Sequence, residues 1–267
     1  MLEEANYKEI NKQGWNNRVE AHMKSDFYDL KGFLDGNSSL NEIELRLLGD
    51  LRGKSVLHLQ CHFGQDSISL GRLGAKVMGV DLSDKAIEQA KLLAAQTSVD
   101  ASFICCDLYD LPSYLDEQFD RVFTSYGTIG WLPDLDRWAN LISRFLKPDG
   151  KLVFVEFHPV VWMFDDDFRT LKYSYFNTGA IIESETGTYA DKEATGSHQF
   201  VSWNHGVGEV LNSLLKCGLE INSFEEFDYS PYNCFEGTIE IEPKKFRIKH
   251  LGNKIPMIYA LTATLKV

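Results

Sequence analysis

KSVLHLQCHFGQDSISLGRLGAKVMGVDLS, residues 54–83, decides the fold. An apolar run over 55–59 reads as a buried strand, 65–74 has the character of a helix, and a second apolar run closes on Asp81. Between the first strand and the helix lies a loop, 60–64, in the place where nucleotide-binding folds usually put glycines. Here its only glycine is Gly64, preceded by Gln60, Cys61, His62 and Phe63.

Outward from this unit the alternation continues to residue 157: SDKAIEQAKLLAAQ, ASFICCDL, QFDRVFTSY, DLDRWANLISRFLK and KLVFVEF. Nearly continuous apolar strands separated by amphipathic helices predict a parallel sheet covered on both faces, an α/β fold. Ala86, Ile87, Ala90 and Leu93 share one helical face, as do Leu135, Trp138, Leu141, Ile142 and Phe145. Upstream, Trp15, Val19, His22 and Met23 form a one-sided helical stripe. A short helix within 38–49 is expected to be capped at Ser38 or Ser39 and to end near Gly49. Downstream, the aromatic segments LKYSYFN, GAIIESETGTYA and HQFVSWN predict an inserted β-meander over 158–205. A helix and two further strands follow. The basic cluster Lys244, Lys245, Arg247 and Lys249 reads as a charged edge strand or loop.

The chain has 267 residues, a size suited to a single elaborated domain. Its parts are expected to be a helical lid (1–50), a core (51–157), the insertion (158–205) and the rest of the sheet (206–267). A net charge of −12 repels polyanions, which argues against nucleic acid and anionic membranes and favours a cationic ligand. Five cysteines without a CxxC pair read as free thiols, and no metal is implied. The polar N-terminus and the absence of an apolar run near the ~20 residues of a membrane span predict a soluble, cytoplasmic protein.

Ligands of open parallel sheets bind beyond the carboxyl ends of the strands. The 60–64 loop is expected there, with Asp81, 21 residues after Gln60, placed to accept hydrogen bonds from a ribose. A dinucleotide brings its pyrophosphate against the loop backbone, which demands glycines that Gln60 and His62 replace. An adenosyl ligand with an amino-acid tail needs less room and can use amide and imidazole side chains.

These stretches resemble the class I S-adenosylmethionine-dependent methyltransferases. VLHLQCHFG is similar to that family's first motif at Val56, Leu57, Leu59, Cys61 and Gly64, while His58, Gln60 and His62 depart from it. GVDLS (79–83), CDLYDLP (106–112), the segment ending the fourth strand at Ser125 and Tyr126, and FLKPDGKLVFVEF follow in the family's order. WNNRVEAHMKSDFYD and VEFHPVVWMF look like a bacterial subgroup of these enzymes. The resemblance implies a Rossmann-like open twisted sheet, mostly parallel with an antiparallel C-terminal strand, and helices on both faces. It implies S-adenosylmethionine as donor and S-adenosylhomocysteine as product. The donor contacts it implies are Trp15 and Arg18 from an N-terminal segment folded over the donor, His58, Gln60, Cys61 and Gly64 at the loop, Asp81 and Leu82 at the ribose, Asp107 and Leu108 at the adenine, and Ser125 at the methionine.

Methyl transfer from a sulfonium is an in-line displacement, helped chiefly by alignment and by nearby aromatic faces. Tyr126, Trp131, Tyr173, Tyr175 and Trp203 are candidate faces. His158, just past the fifth strand, is the first candidate base, and His205 the second. The expected function is methylation of a small-molecule acceptor. The alternatives are a non-catalytic module on the same fold and, disfavoured by the loop, an NAD-dependent oxidoreductase.

Overall fold

A computed structural model describes residues 6–192 and 197–266. Residues 1–5 of the expected lid, 193–196 of the expected insertion and the final residue lie outside the described part. In chain order the elements are α1 (Tyr7–Lys24), α2 (Leu30–Leu34), α3 (Glu42–Leu48), β1 (Ser55–Leu59), α4 (Gln65–Arg72), β2 (Lys76–Asp81), α5 (Asp84–Thr97), β3 (Ala101–Cys105) and β4 (Phe119–Ser125). They continue as α6 (Leu135–Phe145), β5 (Leu146–Phe157), β6 (Ile181–Thr186), β7 (Ser197–Ser202), α7 (Val207–Lys216), β8 (Leu219–Phe227), β9 (Thr238–Glu242), β10 (Lys245–Ile248) and β11 (Ile258–Leu265).

Seven strands form one sheet in the order β3-β2-β1-β4-β5-β11-β8. Neighbours from β3 to β5 pair in parallel, and β11 runs antiparallel to both β5 and β8. The fold expected from the alternation is therefore present, with the C-terminal strand inserted in reverse. Side chains alternate between two buried faces. Leu57, Leu59, Leu152 and Phe154 join Trp138, Ile142 and Phe145 of α6 on one side. Val56, Val153 and Val155 join Leu47, Leu48 and Leu70 on the other. Burial on both faces explains why these strands are apolar throughout.

Local signals mostly act where they stand. Ser83 caps α5 by accepting from the Ala86 amide at 3.1 Å, and Gly49 ends α3 with a φ of 67°. The cap of α3 is Asn41 rather than Ser38 or Ser39. Its amide N–H reaches Glu44 Oε1 in a capping box, while Ser39 instead bonds Ser69. In the insertion, β6 and β7 form an antiparallel hairpin. The stretch 171–177 is not a strand; Leu171 forms an isolated bridge with Phe164, and Lys172 and Tyr173 reach Glu183 of β6 through their side chains. The basic cluster lies in the separate β9–β10 hairpin, where Lys245 pairs with Glu242 and Arg247 with Asp228.

The strand order reverses direction between β1 and β4. Successive connections lead outward from β1 through β2 to β3, then return to β4 and leave the other way. The loops after β1 and β4 consequently diverge and leave a crevice at their carboxyl ends.

Candidate functional site

A cavity of about 1390 Å³ opens at this crevice. Its floor is the loop after β1, which passes through three left-handed residues, Gln60 (φ 55°), His62 (φ 50°) and Gly64 (φ 81°). At Gly64 a side chain is excluded twice, since a Cβ would also meet Ala90 and Phe103 at 2.9 Å. Side chains at Gln60 and His62 carry roughly 1 to 2 kcal/mol of strain each. Both are held by partners. Gln60 Nε2 donates to the Thr128 carbonyl at 2.8 Å, tying this loop to the one after β4. The His62 amide donates to Asp81 Oδ2 at 2.8 Å, and its ring Nε2 lies 2.8 Å from Nδ1 of His22. Hydrogen bonds of about 1 kcal/mol each offset much of the strain, so the loop keeps a glycine-like path without the glycines.

Asp81 Oδ1 also accepts from the Ser83 amide at 2.8 Å. The carboxylate thus orders the loop and the turn into α5 while lining the cavity with Leu82. Burial raises its pKa, and the backbone bonds oppose that shift. Two carboxylate oxygens can accept about four hydrogen bonds, which leaves capacity for ligand hydroxyls. Asp107 lines the next stretch of wall with Leu108. Its Oδ1 accepts from the Tyr109 amide and receives Lys8 of α1, each at 2.9 Å. Ser125, ending β4, lines the cavity, and its hydroxyl lowers the pKa of Asp66 against the rise caused by burial. Cys61 and His58 are buried in the floor. His58 Nδ1 lies 2.8 Å from Ser67 Oγ, and burial depresses its pKa to about 3.

Helix α1 closes the cavity from above, and its buried face is unexpectedly polar. Asn11, Asn16, Arg18 and His22 are buried beside Val19. Asn11 exchanges two hydrogen bonds with the Val201 backbone of β7, at 2.8 and 2.9 Å. Gly14 permits the approach, because a Cβ there would fall 2.4 Å from the Phe200 ring. Arg18 pairs with Glu185 of β6 and places its guanidinium 3.9 Å over Phe200. Trp15 lines the cavity, its ring 5.4 Å from His62 and 5.5 Å from Trp131. Sequence periodicity marked Trp15, Val19, His22 and Met23 as an apolar stripe. The polar residues between them were the missed signal, since a buried helical face bearing Asn, Arg and His has polar partners to satisfy.

The loop after β4 is organised by a residue that motif reading missed. Glu156, buried at the end of β5, accepts from the amides of Gly127, Thr128, Ile129 and Phe157 and from the Thr128 hydroxyl. Tyr126, in left-handed geometry (φ 50°), projects into the cavity wall and donates its hydroxyl to Glu44 Oε2 at 3.0 Å.

Three expectations need correction. His158 is not among the residues lining the cavity. Its Nε2 faces Glu226 of β8 at 2.9 Å, its Nδ1 accepts from the Val160 amide at 3.2 Å, and its ring is buried. Both nitrogens serve the β5–β8 end of the sheet, so the geometry offers no base there. His205 does line the cavity, but its nitrogens are engaged by the Leu132 carbonyl at 2.8 Å and Glu209 at 3.0 Å. Tyr175 lies outside the lining and instead accepts from the Val207 amide at the start of α7, at 3.0 Å. The other four candidate aromatics, Tyr126, Trp131, Tyr173 and Trp203, line the cavity. Among the described residues, no cluster of three His, Cys, Asp or Glu is arranged to hold a metal ion. No helix among them is long and apolar enough to cross a membrane.

A sheet of this order, with β11 antiparallel beside β5, a crevice between β1 and β4 and an acidic residue closing β2, is a Rossmann-like fold. Comparison with known proteins agrees. Residues 57–154 match the family described as a methyltransferase domain. Over 224 residues the chain is 29% identical to an uncharacterized protein of Haemophilus influenzae, a match spanning 79% of this chain and 87% of that one. It is 30% identical to a ubiquinone biosynthesis O-methyltransferase of Coxiella burnetii over half of this chain, but that match spans only 58% of the enzyme. The geranyl diphosphate C-methyltransferase of Streptomyces coelicolor, solved with Mg²⁺, geranyl diphosphate and S-adenosylhomocysteine, superposes with a TM-score of 0.62. It is 16% identical, and the match covers 97% of this chain and 98% of that one. Residues 57–154 are therefore a methyltransferase domain, and the chain has the fold of solved S-adenosylmethionine-dependent methyltransferases.

Proposed function

We propose that this protein holds S-adenosylmethionine across the loops after β1, β2 and β3 and transfers its methyl group to a small-molecule acceptor enclosed by α1 and the β6–β7 hairpin. When bound, the donor supplies a sulfonium-activated methyl group. The observation carrying this reading is a pair of buried polar atoms at the cavity wall. Gln60 Oε1 and Arg18 Nε have no hydrogen-bond partner among the described residues, a state that costs about 1 to 3 kcal/mol per group. An amino-acid tail answers both, its ammonium donating to Gln60 and its carboxylate accepting from Arg18. A pyrophosphate answers only the second and would meet the Gln60 carbonyl oxygen with like polarity.

Asp81 would receive the ribose hydroxyls and Asp107 the adenine amino group. Trp15 and Trp131 present aromatic faces near the loop, where a sulfonium gains roughly 0.5 to 2 kcal/mol. The acceptor class is supported by enclosure. Lys8 to Asp107, Asn11 to Val201 and Arg18 to Glu185 bind the helix to the core and the hairpin, forming a roof suited to a small molecule. The polar contacts holding that roof suit a lid that opens and recloses.

Isothermal titration calorimetry with S-adenosylmethionine and S-adenosylhomocysteine tests the donor. Binding of both is expected, and no binding of either at millimolar concentration would refute the reading. Incubation with methyl-labelled donor and whole-cell extract, afterwards separated into small-molecule, protein and nucleic-acid fractions, tests the acceptor. Label confined to protein or nucleic acid would overturn it.

A further inference from the structure

Beyond the β1 loop the cavity wall contains two phenols, Tyr126 and Tyr232, whose rings meet edge to face at 5.0 Å. Both are tied to one buried carboxyl. Glu44 of α3 is fully buried and accepts the Tyr126 hydroxyl on Oε2 at 3.0 Å. Its Oε1 accepts from the Asn41 amide N–H at 3.2 Å and from Asn41 Nδ2 at 3.1 Å. The same Nδ2 donates to the Tyr232 hydroxyl at 2.9 Å.

The capping box accounts for only part of this arrangement. It needs an oxygen at residue 44 to accept the Asn41 N–H, and glutamine supplies one as well as glutamate does. A buried carboxyl is the costlier choice, because desolvation opposes its charge. The groups facing it do not neutralise it. They are Tyr126 from β4, Asp66 from α4, which adds like charge, and Tyr232, which reaches it through Asn41. Lys244 lowers the pKa of Asp66. Burial, followed by Asp66, accordingly raises the pKa of Glu44 to about 7, where a carboxylate both accepts and releases protons near neutrality.

We propose that Glu44 takes up, through the Tyr126 hydroxyl, the proton displaced when an acceptor bearing a hydroxyl or neutral amine is methylated in this cavity. As the acceptor's heteroatom bonds to the methyl carbon, the carbon–sulfur bond breaks and leaves its electron pair on sulfur. The acceptor's proton passes to the Tyr126 oxygen, and the phenolic proton moves to Glu44 Oε2. Tyr126 ends the step neutral and Glu44 protonated. Tyr126 is the group that touches the acceptor, and Glu44 acts through it. The inference rests on the donor reading above.

The experiment needs no identified acceptor. S-adenosylmethionine is cationic at sulfur and S-adenosylhomocysteine is neutral there. A cation placed beside the Tyr126–Glu44 pair makes Glu44 release its proton. Calorimetry near pH 7, in two buffers of different ionisation enthalpy, reads the protons released per ligand bound. Subtracting E44Q from wild type removes contributions from the ligand's own amine. The wild-type excess is expected to be up to roughly half a proton with S-adenosylmethionine and none with S-adenosylhomocysteine. Y126F leaves the capping box intact and removes a bond that favours charged Glu44, so it should move the half-release pH upward. Equal release in wild type and E44Q with donor bound, or an unmoved profile in a folded Y126F, would overturn the proposal. Failure of both ligands to bind wild type would overturn the donor reading itself.

Discussion

Nδ1 of His22, on the N-terminal helix, lies 2.8 Å from Nε2 of His62, in the loop after β1. His22 is buried and His62 partly so, and both pKa values are depressed, that of His22 to about 3, principally by desolvation, then by Arg18 at His22 and by His22 at His62. One neutral imidazole donates to the other, and the bond fastens α1 to a loop residue in a strained conformation.

Replacing His62 with glycine tests which of two effects dominates. Glycine relieves roughly 1 to 2 kcal/mol of left-handed strain. It also leaves His22 unpaired and removes ring contacts at 4.4 Å with Phe63 and 5.4 Å with Trp15, a loss of about 3 to 4 kcal/mol. Net destabilisation of roughly 2 kcal/mol is expected in urea denaturation. A gain in stability would show that strain dominates.

Arg18→Ala and Glu185→Ala form a double-mutant cycle across the roof. Arg18 is buried whereas Glu185 is half exposed, so the arginine truncation should cost more, about 2 kcal/mol against less than 1. A coupling of about 0.5 to 1 kcal/mol is expected between them. Arg18→Ala should also weaken donor binding about tenfold by calorimetry, while Glu185→Ala should not.

Asp81→Ala should reduce donor affinity at least tenfold, since charge-assisted hydrogen bonds contribute about 1.5 to 3 kcal/mol each. It also orphans the His62 and Ser83 amides, so circular dichroism must accompany the calorimetry. Unchanged affinity in a folded variant removes Asp81 from the donor site.

Glu156→Gln replaces a five-fold hydrogen-bond acceptor with a group whose NH₂ end faces amide donors. Destabilisation of about 3 kcal/mol is expected in denaturant titration. The loop carrying Tyr126 should become susceptible to proteolysis, and native stability would refute the organising role.

The buried histidines set an acid limit on stability. His22 and His58 have folded pKa values of about 3, below the unfolded value of 6.5. Between those values the unfolded chain binds more protons, so stability is fully present above pH 6.5 and is lost as the pH falls toward 3. Glu44 acts in the opposite sense. Its folded value of about 7 exceeds the ordinary 4.5, so its protonation favours the folded state below pH 7. Scanning calorimetry should show a melting temperature that falls below pH 6 in wild type and falls less steeply in His58→Asn.

The class of fold was legible because its signals are local. Alternating apolar runs over 54–157 specify strands buried on both faces, and Ser83 and Gly49 mark helix ends through bonds within a few residues. The departure from a glycine loop was legible at Gln60 and His62, where side chains stand at left-handed positions that glycine would fill without strain. A helix with a buried polar face was readable in principle from Asn11, Asn16, Arg18 and His22, but its partners were not.

Those partners lie far along the chain, and only tertiary structure brings them together. His22 meets His62 across 40 residues, Tyr126 meets Glu44 across 82, and Arg18 meets Glu185 across 167. Sequence spacing cannot reveal such pairs, because they arise from the stacking of α1, α3 and the β6–β7 hairpin over one end of the sheet. The same cause turned His158 away. Its place after β5 is a local property, but the direction of its ring was decided by β11, which pairs with β5, and by β8 beyond it, which presents Glu226. Local periodicity and turn chemistry determined the scaffold and the end of it where the cavity opens. Long-range packing decided which buried polar groups face the cavity and which are consumed in holding it together.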